Sequence, residues 1–151
     1  YSGKRHLGRL QAELLYQHLD KVDRIKQCSQ SDLIIPMPIS PKRYRKRGFN
    51  QASDMALWFG EKLDCKVVLN GVRRDNQKQH QAGASRIERS ANMKNVFHLR
   101  KPFESLVKNK HILITDDVVT TGASVDALSR LLKAAGARRV EVLCLARTAN
   151  H

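Results

Sequence analysis

The stretch ILITDDVVTTGAS, residues 112–124, decides the fold. Its apolar start, extended by one residue to HILIT (111–115), is continuous and reads as a central parallel strand buried on both faces. The strand ends in two adjacent acids, Asp116 and Asp117, and a short turn of Thr120, Thr121 and Gly122 follows. A helix then starts at Ala123 or Ser124, with Val125, Leu128, Leu132 and Ala135 along one face and Gly136 placed to end it. Strand, turn and helix in that order are one half of a βαβ unit.

Working outward, the same alternation recurs. VEVLCLA (140–146) is the last strong strand, and Cys144 within it reads as a core residue. Upstream, DLIIPMP (32–38) holds a buried strand, Leu33–Ile35, closed by prolines and running into a loop. Residues 51–63 place Ala52, Met55, Ala56, Phe59 and Leu63 on one helical face, and Lys66–Leu69 reads as a strand. At the N-terminus Leu7, Leu10, Leu14 and Leu15 predict an amphipathic helix over 5–19. Residues 71–95 are polar, basic and weakly periodic, which predicts a long flexible loop with a short helix near Ser85–Ala91. The expected class is α/β: a central, mostly parallel sheet flanked by helices, in a single domain over residues 1–151.

The 116–124 segment has its own chemistry. In open α/β sheets, ligands bind beyond the carboxyl ends of strands. A turn feeding a helix N-terminus points unpaired N–H groups outward, and with the helix dipole these make an anion cradle. Gly122 allows close approach or a positive φ, while the hydroxyls of Thr120, Thr121 and Ser124 add donors. Two carboxylates would repel a phosphate placed on them. They suit a neighbouring group with hydroxyls, such as a ribose diol, or hydrated Mg²⁺. A phosphorylated sugar satisfies both halves. The same residue types also serve as ordinary caps and turns. No Gly-x-x-x-x-Gly-Lys and no Gly-x-Gly-x-x-Gly occurs.

ILITDDVVTTGAS resembles the phosphoribosyl-pyrophosphate (PRPP) motif of type I phosphoribosyltransferases. With YSGKRHLGRL at the start, PMPISPKRYRKRGFNQA, and QAGASRIERSANMKNVF, the chain resembles the ComF/GntX family, associated with DNA-uptake competence. The resemblance implies a type I phosphoribosyltransferase-like fold. It implies that Asp116 and Asp117 hold the ribose hydroxyls, in the catalytic position, and that the PRPP site runs on through Val118, Val119, Thr120, Thr121, Gly122, Ala123 and Ser124, with Thr120 to Ser124 on the 5′-phosphate. Met37, Pro38, Ile39 and Ser40 would form the pyrophosphate loop, and Gln81, Arg89 and Asn92 would belong to a flexible loop closing over the site. Ala84 departs from the pattern, where a larger apolar residue is expected. The paired-cysteine zinc ribbon at the N-terminus of full-length members is also missing, so a fragment is expected. The cofactor implied is Mg²⁺ carried by PRPP, with no direct protein metal site.

Charge adds a second theme. Lys and Arg number 28 against 14 Asp and Glu, a net charge of +14 that attracts polyanions. Lys42, Arg43, Arg45, Lys46 and Arg47 directly follow the pyrophosphate loop; they would neutralise pyrophosphate, track a nucleic-acid backbone, or form a plain solvated face. Tyr44 and Phe49 flank the cluster, where either could stack a base; Phe49 reads rather as packing and Tyr44 stays open, while Asn50 and Gln51 serve equally as part of the family-specific element or as ordinary helix caps. Arg73, Arg74, Lys78, Arg86, Arg89 and Lys94 share closing and solubilising readings. Three separated cysteines argue against a disulfide framework and fit a cytoplasmic compartment, and no apolar run is long enough for a membrane span. Two functions compete. One is transfer of phosphoribosyl from Mg²⁺–PRPP to an unknown acceptor with release of pyrophosphate. The other is a non-catalytic module that binds single-stranded DNA or a phosphosugar in the uptake machinery, alongside other competence proteins.

Overall fold

The computed structural model describes residues 3–22, 24–75 and 96–148. In chain order the elements are α1 (Gly3–Lys21), α2 (Ile25–Cys28), β1 (Leu33–Pro36), α3 (Pro41–Arg47), α4 (Gln51–Leu63), β2 (Lys66–Val67), β3 (Val72–Arg74), β4 (Phe97–Leu99), α5 (Lys101–Val107), β5 (His111–Val119), α6 (Ala123–Ala134) and β6 (Arg139–Arg147). Four strands form a parallel sheet in the order β2-β1-β5-β6; β3 and β4 pair antiparallel as a separate two-stranded sheet.

The strand period of two sorts the apolar side chains into two cores. Leu33, Ile35, Ile112 and Ile114 face Leu128 and Leu132 of α6, with Phe97 and Phe103 from β4 and α5. Ile34 and Leu113 face the other way, against Ala12 of α1 and Met55, Ala56 and Phe59 of α4. Burial on both faces is why β1 and the first half of β5 read as unbroken apolar runs. Trp58 packs edge-on to Tyr16 and Phe59, at ring separations of 5.5 and 5.2 Å. At Gly60 a Cβ would collide with the Val67 side chain, so α4 lies directly on β2 only because this position is glycine.

Several expectations are corrected. On α1 the residues that pack inward are Ala12, Leu15, Tyr16 and Leu19, whereas Leu10 and Leu14 are 52% and 57% exposed. The helix existed in the spacing, but its buried stripe lies about one position round. The basic run 42–47 is helical, because Ser40 caps it, Pro41 opens it and Gly48 closes it in the left-handed region. Residues 72–74 are strand rather than loop, paired with residues 97–99 from beyond a 22-residue separation. The helix α5, opened by Pro102, was not expected at all. The strand β5 does not stop at Thr115: Asp116, Val118 and Val119 continue the ladder against Cys144, Ala146 and Arg147. Cys144 is accordingly half-buried, not a core residue. The expected strand 66–69 is two residues long.

The topology creates the crevice. From β1 the chain crosses through α3 and α4 to β2 on one side, and from β5 through α6 to β6 on the other. The neighbours β1 and β5 thus send their exit loops in opposite directions, and a cleft opens between them.

Candidate anion-binding cleft

A cleft of about 410 Å³ lies at that divergence. One wall is the segment Asp116–Val125; the other is Met37, Ile39, Arg43, Arg47, Asn50, Gln51 and Arg74.

The first wall is built by β5 and α6. Gly122 adopts φ +76°, the left-handed region, and a Cβ there would touch no other protein atom. Conformation, and not crowding by the protein, is what calls for glycine here. That turn sets the entry into α6, whose N-terminus has no side-chain cap. The Ala123 amide reaches Thr121 Oγ1 only at 3.4 Å, and the first α-helical bond runs from Asp126 N–H to the Gly122 carbonyl at 2.8 Å. Amides of the first turn therefore face the cleft with the positive end of the dipole behind them.

Asp116 and Asp117 stand beside this turn, both half-buried. Each carboxylate accepts from the next amide: Asp116 from Asp117 N–H at 3.0 Å, Asp117 from Val118 N–H at 2.9 Å. Burial pushes the Asp116 carboxyl up to about 6, aided by the charge of Asp117 and opposed by Arg74. A carboxyl poised near neutrality is characteristic of a working site, although structural ion pairs also produce such shifts.

The second wall starts where β1 ends. Met37 N–H donates to the Thr115 carbonyl at 2.8 Å, fixing the loop to β5. Asn50 does two things: its Oδ1 accepts from Ala52 N–H at 3.3 Å and caps α4, and its amide donates to the Met37 carbonyl at 3.1 Å. The expected capping role is present, and the tether to the loop comes with it. Of the expected loop residues, Met37 and Ile39 line the cleft; Pro38 is buried and is not part of the lining, and Ser40 caps α3 through Arg43 N–H. Of the five basic side chains, Arg43 and Arg47, one helical turn apart, line the cleft, whereas Lys42, Arg45 and Lys46 do not. Gln81, Arg89 and Asn92 lie outside the described residues, as does the expected helix near 85–91.

Arg74 is the functional candidate that sequence reasoning did not separate from its basic neighbours. Its guanidinium donates to the Pro38 carbonyl and to Ser124 Oγ, each at 3.4 Å. Burial lowers its pKa from the ordinary arginine value, with Arg43 adding to the shift and Asp116 opposing it. The signal was the alternation of buried Val72, exposed Arg73 and half-buried Arg74, legible only once β4 is known to be the partner. Among the described residues no group of three or more His, Cys, Asp or Glu side chains is placed to hold a metal ion, and no described helix is long and apolar enough to cross a membrane.

Comparison with known proteins agrees with this fold. Over 148 residues the chain is 32% identical to the DNA utilization protein YhgH of Escherichia coli strain K12, covering 98% of this chain and 63% of that protein. It is 32% identical over 145 residues to competence protein F of Haemophilus influenzae, covering 93% and 61%. The chain thus spans about three fifths of the length of these relatives. In fold it matches a glutamine PRPP amidotransferase from B. subtilis (TM-score 0.56, 15% identity, 93% of this chain and 25% of that one). It also matches a hypoxanthine phosphoribosyltransferase from Staphylococcus aureus (TM-score 0.55, 17% identity, 94% and 66%). Residues 45–151 match the model of the phosphoribosyl transferase domain. The type I phosphoribosyltransferase fold expected from the 112–124 stretch is therefore the observed one, and the chain belongs to the phosphoribosyl transferase domain family.

Proposed function

We propose that the cleft binds Mg²⁺–PRPP and that the domain transfers its phosphoribosyl group to an acceptor, releasing pyrophosphate. The observation that carries this reading is one cleft holding an uncapped helix N-terminus beside a half-buried diacid. The amides of Thr120 to Ser124 would take the 5′-phosphate, and Asp116 and Asp117 the ribose hydroxyls. The Met37–Ser40 loop, with Arg43 and Arg47, would face the pyrophosphate. As the bond from the anomeric carbon to pyrophosphate breaks and the bond to the acceptor forms, positive charge develops on the ring. The adjacent carboxylates stabilise that charge once both are ionised. Mg²⁺, when bound, neutralises the departing pyrophosphate; the diacid fits a role beside that metal–ligand complex better than a closed protein site of its own. The names of the relatives extend the proposal to a role in DNA uptake or utilisation, together with other competence proteins, and the three free cysteines fit a cytoplasmic place for it.

A second reading, a single-stranded DNA contact, is favoured by α3. Its outward side carries Lys42, Arg45 and Lys46, and Tyr44, on another face of the same short helix, is 51% exposed. Cations with an exposed ring are what single-strand binders use. The two readings separate in an amide NMR titration. Mg²⁺–PRPP should move the resonances of Thr120–Val125 and Met37–Ser40 saturably. Absence of saturable shifts there at millimolar PRPP would overturn the transferase reading. Shifts confined to α3 on adding oligonucleotide would leave the second reading standing.

A further inference from the structure

We infer that Arg74 is a positioning residue that clamps the loop after β1 to the head of α6, and so sets the spacing between the two walls of the cleft. The inference rests on the PRPP reading and deepens it. The two acceptors of its guanidinium belong to different walls: the Pro38 carbonyl, bonded to Nη1, and Ser124 Oγ, bonded to Nη2. Pro38 lies on the loop after β1 and Ser124 in the first turn of α6, and the parallel ladder ties the two exits at Met37 N–H to the Thr115 carbonyl, before either acceptor is reached. One planar fork spans both, which a single ammonium cannot do.

The fork itself is held from behind. Arg74 pairs directly with Phe97 across β3 and β4. The guanidinium carbon lies 5.2 Å from the Phe97 ring centre, and Phe97 is 4% exposed, part of the core that also contains Leu128 and Leu132 of α6. The clamp is thus anchored on the packing that positions α6. Arg73, one residue earlier, points to the other face and pairs with Asp75 at 3.0 Å. Two adjacent arginines therefore have separate tasks. At 3.4 Å both bonds of Arg74 are long, so they can be exchanged for a stronger, charged acceptor when an anion bridges the walls.

A ligand that touches both walls should feel the clamp, and a ligand held by one wall should not. The test is calorimetric titration of the wild-type chain, Arg74→Lys and Arg74→Gln with Mg²⁺–PRPP and, separately, with ribose 5-phosphate, alongside thermal melts. Both variants should lose about tenfold in PRPP affinity, the worth of charged hydrogen bonds, while ribose 5-phosphate affinity changes much less and melting is little altered. Lysine binding PRPP as the wild type does would reduce Arg74 to a point charge and overturn the clamp. Parallel loss for both ligands would make it general support for the fold and would also overturn it. Wild-type chain that binds no PRPP would remove the parent reading and the clamp together, whereas wild-type binding with unaffected variants would remove the clamp alone.

Discussion

Replacing Asp116 by Asn should make the protein more stable at neutral pH while weakening the proposed binding of Mg²⁺–PRPP. The Asp116 carboxyl rises from an ordinary 3.8 to about 6 in the folded chain. Below about pH 4 it is neutral in folded and unfolded chains alike, and contributes no pH dependence. Between about pH 4 and pH 6 the folded chain keeps a proton that the unfolded chain has released, so wild-type stability falls as pH rises. Above about pH 6 the cost is complete; about 1.4 kcal/mol per pH unit sets its ceiling, and solvent screening of this half-buried group, which titrates together with Asp117, brings it to about 1–2 kcal/mol. Asn has no proton that titrates in this range, and its Oδ1 retains the acceptor for Asp117 N–H. The stability advantage of Asp116→Asn should therefore grow from near zero at low pH to a plateau of about 1–2 kcal/mol above neutrality. Urea unfolding of both proteins across this range measures it. A pH-independent difference, or a variant less stable than wild type at about pH 8, would refute the claim that this carboxylate is held at an energetic cost for its site.

Other outcomes follow from the same geometry. Gly122→Ala should cost about 1 kcal/mol or more in urea unfolding, because φ +76° is strained for any residue with a Cβ, and it should weaken phosphate binding by turning the α6 amides. Asn50→Ala removes both the cap of α4 and the tether to Met37; about 1–2 kcal/mol of stability should go, with Asn50→Asp recovering the cap but not the tether. If α3 contacts nucleic acid, exchanging Lys42, Arg45 and Lys46 for Gln should flatten the slope of log affinity against log salt by about 2 for single strands, leaving PRPP titrations unchanged.

Much of the fold was legible because burial on two faces leaves a plain trace. Leu33–Ile35 and His111–Thr115 are buried throughout and each lies in a strand, while residues 140–146 are also a strand although Glu141 interrupts the apolar run and Leu143 alone among them is buried. The helix over 51–63 matches to the residue, since Asn50 caps one end and the chain turns left-handed at Asp64 at the other. What was hidden is pairing at a distance. β3 has three residues and no hydrophobic alternation long enough to notice, and its partner begins at Phe97. Without that partner Arg74 is one cation among several. Likewise the ladder from Asp116 to Val119 follows from the length of β6 and not from its own polar sequence. Leu10 and Leu14 show the converse: correct spacing for a helix does not say which side of it meets the sheet.

The central claim is that the diacid and the head of α6 together bind Mg²⁺–PRPP. Its most direct test is calorimetric titration of the chain with PRPP, with and without Mg²⁺, set against the Asp116→Asn/Asp117→Asn double variant. Saturable binding that strengthens with Mg²⁺ and disappears in the folded double variant is the expected result. Equal binding by the double variant, or none by the wild type at millimolar PRPP, would contradict it.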